Sequence, residues 1–176
     1  MSAKKVHSAA VLPYVVTEAK VVRVFVAHMG GPFWARKDNG GWSLAKGEFD
    51  PEIENSADAA VREFEEEVGV PVDVRLIDPL GEFRQPSGKR IHAFTWKNPV
   101  DLSFVGSNEF EMEWPKGSGA MQSFPEIDRA EWMDLATARD KLVKGQVPIL
   151  DELMARIGAE DPDVGESSGG TQSALF

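Results

Sequence analysis

The sequence contains no cysteine. Disulfide staples, thiolate zinc sites and cysteine nucleophiles are excluded by that single absence. It also lacks an apolar run long enough to span a bilayer. Lys4 and Lys5 near its start are followed by no long hydrophobic stretch of the kind a secretory leader carries. A cytoplasmic location with no membrane partner is the expectation. Positive charge is scarce: 19 Lys and Arg stand against 29 Asp and Glu, a formal net charge of -10. Such a chain does not suit nucleic-acid polymers or anionic membranes. A small anionic substrate is a different matter, because a local cationic patch or a bound metal ion suffices for it.

What is present suits one soluble domain with a real core: 176 residues, 42% hydrophobic and 27% charged. The β-branched runs Val11–Val16 and Val21–Val26 read as strands joined by a polar turn at Thr17–Lys20. A glycine-rich loop follows from Gly30 to Gly41, then a short strand at Trp42–Leu44. A helix is expected over Ser56–Val68, capped by Asn55 or Ser56 and stopped by Gly69. Further strands are expected at Val72–Ile77, Arg90–Trp96 and Glu109–Trp114, with a hairpin turn at Pro86–Gly88. A second helical zone spans Leu135–Ile157, interrupted near Gly145 and Pro148. The Gly-, Ser- and Asp-rich stretch 158–176 reads as a disordered tail behind a domain of residues 1–157. The alternation gives a mixed α/β or α+β domain.

The segment Arg62-Glu63-Phe64-Glu65-Glu66-Glu67-Val68-Gly69-Val70 is the most informative. On a helix, Glu63, Glu66 and Glu67 fall at i, i+3 and i+4 and share one face. Ala57, Ala60, Val61, Phe64 and Val68 share another, the expected core side. Each like-charged pair costs roughly 0.2–0.5 kcal/mol in isolation. The helix dipole also disfavours negative charge at this end, and Arg62 offsets only part of the repulsion. Two readings stand: a solvated acidic face, or a site for a hard cation such as Mg2+ or Mn2+, which carboxylate oxygens suit. Upstream, in Lys46-Gly47-Glu48-Phe49-Asp50-Pro51-Glu52-Ile53-Glu54, Gly47 lets the backbone turn or approach a ligand closely. An ordinary strand-to-helix loop explains the same residues.

Together, Gly47, Glu54, Arg62, Glu63, Phe64, Glu66, Glu67, Gly69 and Val70 resemble the box of the Nudix hydrolase family. Its pattern is Gly, five residues, Glu, seven residues, then Arg-Glu-apolar-x-Glu-Glu-x-Gly-apolar. From Glu54 to Val70 the spacing matches in full. One departure stands: six residues separate Gly47 from Glu54, which leaves the role of Glu54, and of Glu52 beside it, open.

The resemblance implies an α/β/α sandwich with a mixed sheet and a loop–helix–loop that carries the catalytic residues. It implies Mg2+ held by Glu63, Glu66 and Glu67, with a backbone carbonyl of Lys46 completing the shell. Arg62 would orient Glu63, and Glu54 would support the loop or reach the metal through water. The implied reaction is hydrolysis of a phosphoanhydride by attack of water on phosphorus. For the base that takes the water's proton, a glutamate outside the box, Glu126, resembles the family's accessory ligand, six residues before a tryptophan, Trp132, that opens a late strand. A loop glutamate without a role is the competing reading. Glu109, Glu111 and Glu113 alternate with apolar residues and read as the solvent side of a strand.

Arg36, Lys37 and Lys46 are candidates for phosphate contacts, and Phe33, Trp34 or Trp42 for stacking on a base. Arg84, Lys89 and Arg90 form a second basic cluster; His7, His28 and His92 read as structural. Three further stretches resemble a bacterial Nudix subgroup labelled as nucleoside-triphosphate pyrophosphohydrolases: Gly31–Lys37, Glu111–Pro115 and Phe124–Arg129. Lys46-Gly47 is similar to the dinucleoside-polyphosphate hydrolases. Hydrolysis of a nucleoside triphosphate or dinucleoside polyphosphate is therefore expected. ADP-ribose, sugar-nucleotide or diphosphoinositol hydrolysis, or a Nudix fold kept as a ligand sensor, are the alternatives. The oligomeric state, a homodimer included, is left open.

Overall fold

The structure is a computed structural model that describes residues 4–165. Its centre is strand β1 (His7–Val16), where Ala9, Ala10, Val11 and Leu12 are fully buried. A strand covered on both faces needs apolar residues at odd and even positions alike, and this run supplies them. On one edge β1 pairs in parallel with β6 (Arg90–Lys97). On the other it pairs antiparallel first with β4 (Ala45–Phe49), then with β2 (Val22–Met29). Pro13 lies where that edge changes partner, a position that suits a residue without an N–H.

The sheet runs β3-β2-β1-β6-β5, with β3 at Trp42–Ser43 and β5 at Ile77–Arg84, while β9 (Ile127–Asp134) pairs with β2. One parallel pair among antiparallel ones makes the sheet mixed. Helix α1 (Ser56–Val68) covers one face; α2 (Leu135–Lys141) and α3 (Val147–Glu160) cover the other. The result is the expected α/β/α sandwich. A separate two-stranded ribbon, β7 (Glu109–Glu113) with β8 (Met121–Pro125), rises beside it.

The limits of α1 follow local chemistry. The Asn55 side chain accepts from the Asp58 N–H at the start, and Gly69 ends it at φ 81°, its N–H bonded to the Glu65 carbonyl. The buried residues are Ala59, Ala60, Glu63, Phe64 and Val68; Ala57 and Val61 pack at the margin.

Several expectations need correction. Val72–Ile77 is not a strand: Asp73 accepts from the Arg75 N–H and caps a 3-10 turn at Val74–Leu76, and the strand is Ile77–Arg84. Pro79 and Gly81 disguise it. They sit at a register shift on the sheet edge, where a missing N–H and a bulge are tolerated. Lys46–Phe49 is strand rather than loop, paired through Ala9 with Gly47 and Ser8 with Glu48. Trp132 does not open its strand; β9 starts at Ile127. Pro148 sits in the first turn of α3, just after Val147, where its ring fits, and the interruption lies at residues 142–146. Helix α3 then continues to Glu160, Val164 is buried, and Asp161 pairs with Lys20. Packed chain thus extends beyond residue 157; the rest of the expected tail, from 166, lies outside the described residues.

Candidate active site

Antiparallel pairing of β4 with β1 lays Lys46, Gly47 and Glu48 alongside the carboxylate face of α1. A cleft of about 470 Å3 opens there, lined among others by Lys46, Gly47, Glu63, Glu66, Glu67 and Glu126. Glu126 reaches it from the bend between β8 and β9. Its position is set by backbone: the Asn108 N–H donates to the Glu66 carbonyl, and the Glu126 N–H donates to the Asn108 carbonyl, each at 2.8 Å. The last turn of α1 and the β8–β9 bend are thereby held through one intervening residue.

Gly47 has a specific reason to be glycine, and it is not a turn. A Cβ there would lie 1.8 Å from Oε2 of Glu63. The close approach is by the Glu63 carboxylate rather than by a ligand. Glu63 is buried, and Arg62 fixes it from the other side, Nη1 donating to Oε1 at 2.7 Å. Arg62 also holds Glu54 with two bonds, Nε to Oε2 at 3.0 Å and Nη2 to Oε1 at 2.8 Å. The extra residue before Glu54 therefore leaves Glu54 in register with Arg62. The surplus is absorbed at the exposed turn Asp50–Glu54, where Ile53 is 85% exposed and Glu52 points to solvent. Glu54 and Arg62 form a planar fork–carboxylate pair.

Glu67 is tied across to β4: its Oε2 accepts from the Lys46 N–H at 2.9 Å. Burial, with Glu126 and Glu63 adding, pushes its carboxyl up to about 8 despite that bond and the Lys46 charge. Burial also raises Glu63, against the pull of Arg62, and Glu66 and Glu126 add to the rise. Glu126 is raised by burial and by Glu66 across the cleft. Glu54, by contrast, is lowered by Arg62. The protein thus gathers carboxylates whose charged forms are mutually unfavourable.

Of the residues expected to meet substrate, only Lys46 lines this cleft. Trp34, Arg36 and Lys37 lie on the Gly30–Gly41 loop and are not part of the cleft lining, with the Lys37 ammonium 5.1 Å from the Trp34 ring centre. That loop is pinned inward: His28, fully buried, points its two ring nitrogens at the Asp128 carboxylate (2.8 Å) and the Lys37 carbonyl (2.6 Å). Trp42 is 1% exposed and donates to Asp38, so it is core, not a stacking platform. From the second basic cluster, Lys89 enters the cleft, 3.3 Å from Glu48, whereas Arg90 pairs with Glu82. Glu109, Glu111 and Glu113 stand on the exposed side of β7, outside the cleft lining. Ser8 and Asn108 line the cleft and carried no local signal; strand register and the backbone bonds above place them.

The NUDIX domain family profile matches residues 7–153. No curated protein matches the chain. Three solved structures share the fold. A MutT/nudix family protein from Enterococcus faecalis aligns with TM-score 0.63 at 17% identity, over 93% of this chain and 67% of its own. The NUDIX domain of Shewanella oneidensis NrtR complexed with ADP ribose gives 0.58 at 14%, over 89% and 90%. A C. elegans Ap4A hydrolase binary complex gives 0.56 at 16%, over 86% and 98%. At these identities the structures speak for the fold alone, whereas the profile spans most of the chain. By that match the protein belongs to the Nudix family of pyrophosphohydrolases.

Proposed function

We propose that this chain hydrolyses a phosphoanhydride bond in a nucleoside triphosphate or dinucleoside polyphosphate, in a reaction that requires Mg2+, with Mn2+ as a substitute. The observation that carries the reading is the convergence of Glu63, Glu66, Glu67 and Glu126 on one cleft. The donor set fits a hard divalent ion: all four side chains offer carboxylate oxygens, and burial raises three of them. Glu63, Glu66 and Glu67 would hold the ion, with the Lys46 carbonyl beside them. When bound, it neutralises phosphate charge and makes water a stronger acid.

The remaining work belongs to the protein's own groups. Arg62 and the open Cα of Gly47 fix the Glu63 carboxylate in one orientation. The Lys46 N–H fixes Glu67. Glu126, raised but outside the ion-paired set, accepts the proton of the attacking water. Lys46 and Lys89 at the cleft wall attract the phosphates beyond the scissile bond. Two cationic side chains beyond the carboxylates favour a substrate with more than two phosphates over a sugar nucleotide. Trp34, Arg36 and Lys37, on the loop whose Gly30 N–H donates to the Glu126 carbonyl at 2.8 Å, remain candidates for the part of the substrate beyond the phosphates.

ADP-ribose is the second reading, favoured by the ligand in the S. oneidensis NrtR domain of like fold. A nucleotide panel with Mg2+, run on wild type and Glu66→Gln, separates the two. Turnover of a triphosphate or dinucleoside polyphosphate, abolished in the variant, is the expected result. Preferential turnover of ADP-ribose would select the second reading. Nucleotide binding without any turnover would overturn both in favour of a sensor.

A further inference from the structure

Three side chains outside the cleft meet on the sheet where β1, β5 and β6 lie side by side: His7, Glu82 and His92. They are remote in sequence, and strand register brings them together. Glu82 of β5 stands directly opposite His92 of β6. His92 stands opposite Ala9 of β1, so His7, two residues earlier on β1, falls on the same face. His7 Nδ1 lies 2.9 Å from His92 Nε2, and one ligand atom from each of the three side chains lies within 4.8 Å of the other two.

We propose that His7, Glu82 and His92 form a second metal site, for a borderline transition-metal ion of the zinc class. It is separate from the carboxylate cleft and different in chemistry. Two imidazole nitrogens and one carboxylate oxygen are the donor set of zinc, nickel or cobalt, whereas magnesium requires oxygen. Three protein ligands leave a fourth position for water.

The surroundings suit such a site. Phe49 packs edge-on against both imidazoles, with centroids 6.1 Å from His7 and 5.3 Å from His92, which restricts ring rotation on one side. Arg90 Nη1 donates to Oε1 of Glu82 at 2.7 Å. That bond orients the carboxylate, an outer hydrogen bond of the kind that ligating carboxylates carry. His7 and His92 are half-buried and Glu82 is exposed, so an ion has a path from solvent. Bound there, it would clamp the start of β1 to the β5–β6 hairpin.

The competing account is a hydrogen bond between two imidazoles and nothing more. The test uses untagged full-length protein, stripped with chelator and equilibrated in excess Mg2+ to fill the carboxylate cleft with a hard ion. Co2+ is titrated as a spectroscopic probe and Zn2+ by calorimetry. One equivalent of binding is expected, with visible cobalt bands of an imidazole-ligated ion and a Zn2+-dependent rise in Tm. His7→Gln and His92→Gln should each weaken binding at least about 10-fold, while Glu66→Gln should leave it unchanged. Melting in chelator checks that each variant is folded. Should either histidine variant fail that check, Glu82→Gln, at an exposed edge, decides by the same measure. Absence of Co2+ and Zn2+ binding in Mg2+, binding indifferent to these substitutions, or binding lost in Glu66→Gln would each overturn the proposal.

Discussion

Helices α1 and α3 do the same architectural job on opposite faces of one sheet, with opposite contents. Helix α3 buries Ile149, Leu150, Leu153 and Ile157 in the larger cluster, and Arg156 donates to the carbonyls of Pro79 and Leu80 at 3.0 and 2.9 Å. Helix α1 buries Phe64 and Val68 with two alanines, Ala59 and Ala60, against Ala9 and Ala45 of the sheet. Small side chains on both sides suit a short distance from helix to sheet. Six other residues of α1 are charged, including the buried Glu63 and the raised Glu67. One layer is spent on apolar burial, which stabilises in proportion to area. The other carries carboxylate repulsion and desolvation, a local cost of the kind that functional sites accept.

That contrast can be broken by exchanging the readouts. Glu66→Gln in α1 is expected to lower kcat by about 10²-fold or more, since a metal site supplies several kcal/mol of transition-state stabilisation. Its Tm in chelator should change little, because the repulsion from Glu63 and Glu126 and the ion pair with Arg62 are lost together. Leu153→Ala in α3 should do the reverse. It removes a fully packed side chain, costs about 2–5 kcal/mol in urea unfolding, and leaves kcat near wild type in the folded fraction. If Leu153→Ala lowers kcat as much as Glu66→Gln does, the two layers are not separable.

Gly47→Ala probes the carboxylate layer without touching charge. Its Cβ would fall on the Glu63 carboxylate, so activity should drop about as far as on removing a ligand, roughly 10²-fold. Mg2+ affinity by calorimetry should fall with it. Arg62→Lys comes next. It loses the two-point hold on Glu54 and the bond to Glu63, and a supporting group of this type is worth about 10–100-fold. Raised Mg2+ should recover part of the rate; no recovery would place Arg62 in direct contact with substrate instead.

The smallest effect is in pH. The Glu67 carboxyl stands at about 8 in the native protein, above its value in the unfolded chain. Between the ordinary carboxylate range and about 8, the native state binds more protons than the unfolded state, so stability falls as pH rises through that window. Thermal melts in chelator should show this decline, and saturating Mg2+ should flatten it. A flat profile in chelator would mean that Glu67 is solvated as an ordinary surface acid.

Sequence alone determined whatever depends on near neighbours. The extent of α1 was legible because Asn55 and Gly69 are local caps and because the i, i+3, i+4 spacing fixes which carboxylates share a face. The β1, β2 and β6 strands were legible from apolar runs, and the box residues from their spacing. Tertiary structure decided what depends on distant partners. Lys46–Phe49 becomes a strand only because β1 lies beside it, and Ile77–Arg84 only because a sheet edge tolerates Pro79 and Gly81. The role of Gly47, the pairing of Glu54 with Arg62 across an inserted residue, and the arrival of Glu126, Asn108, Ser8 and Lys89 at one cleft are matters of register and packing. So is the meeting of His7, Glu82 and His92, whose side chains are strangers in sequence and neighbours only once three strands are aligned. Local spacing sets conformation and face; only the closed sheet, with its fixed register, sets which distant side chains come within bonding distance.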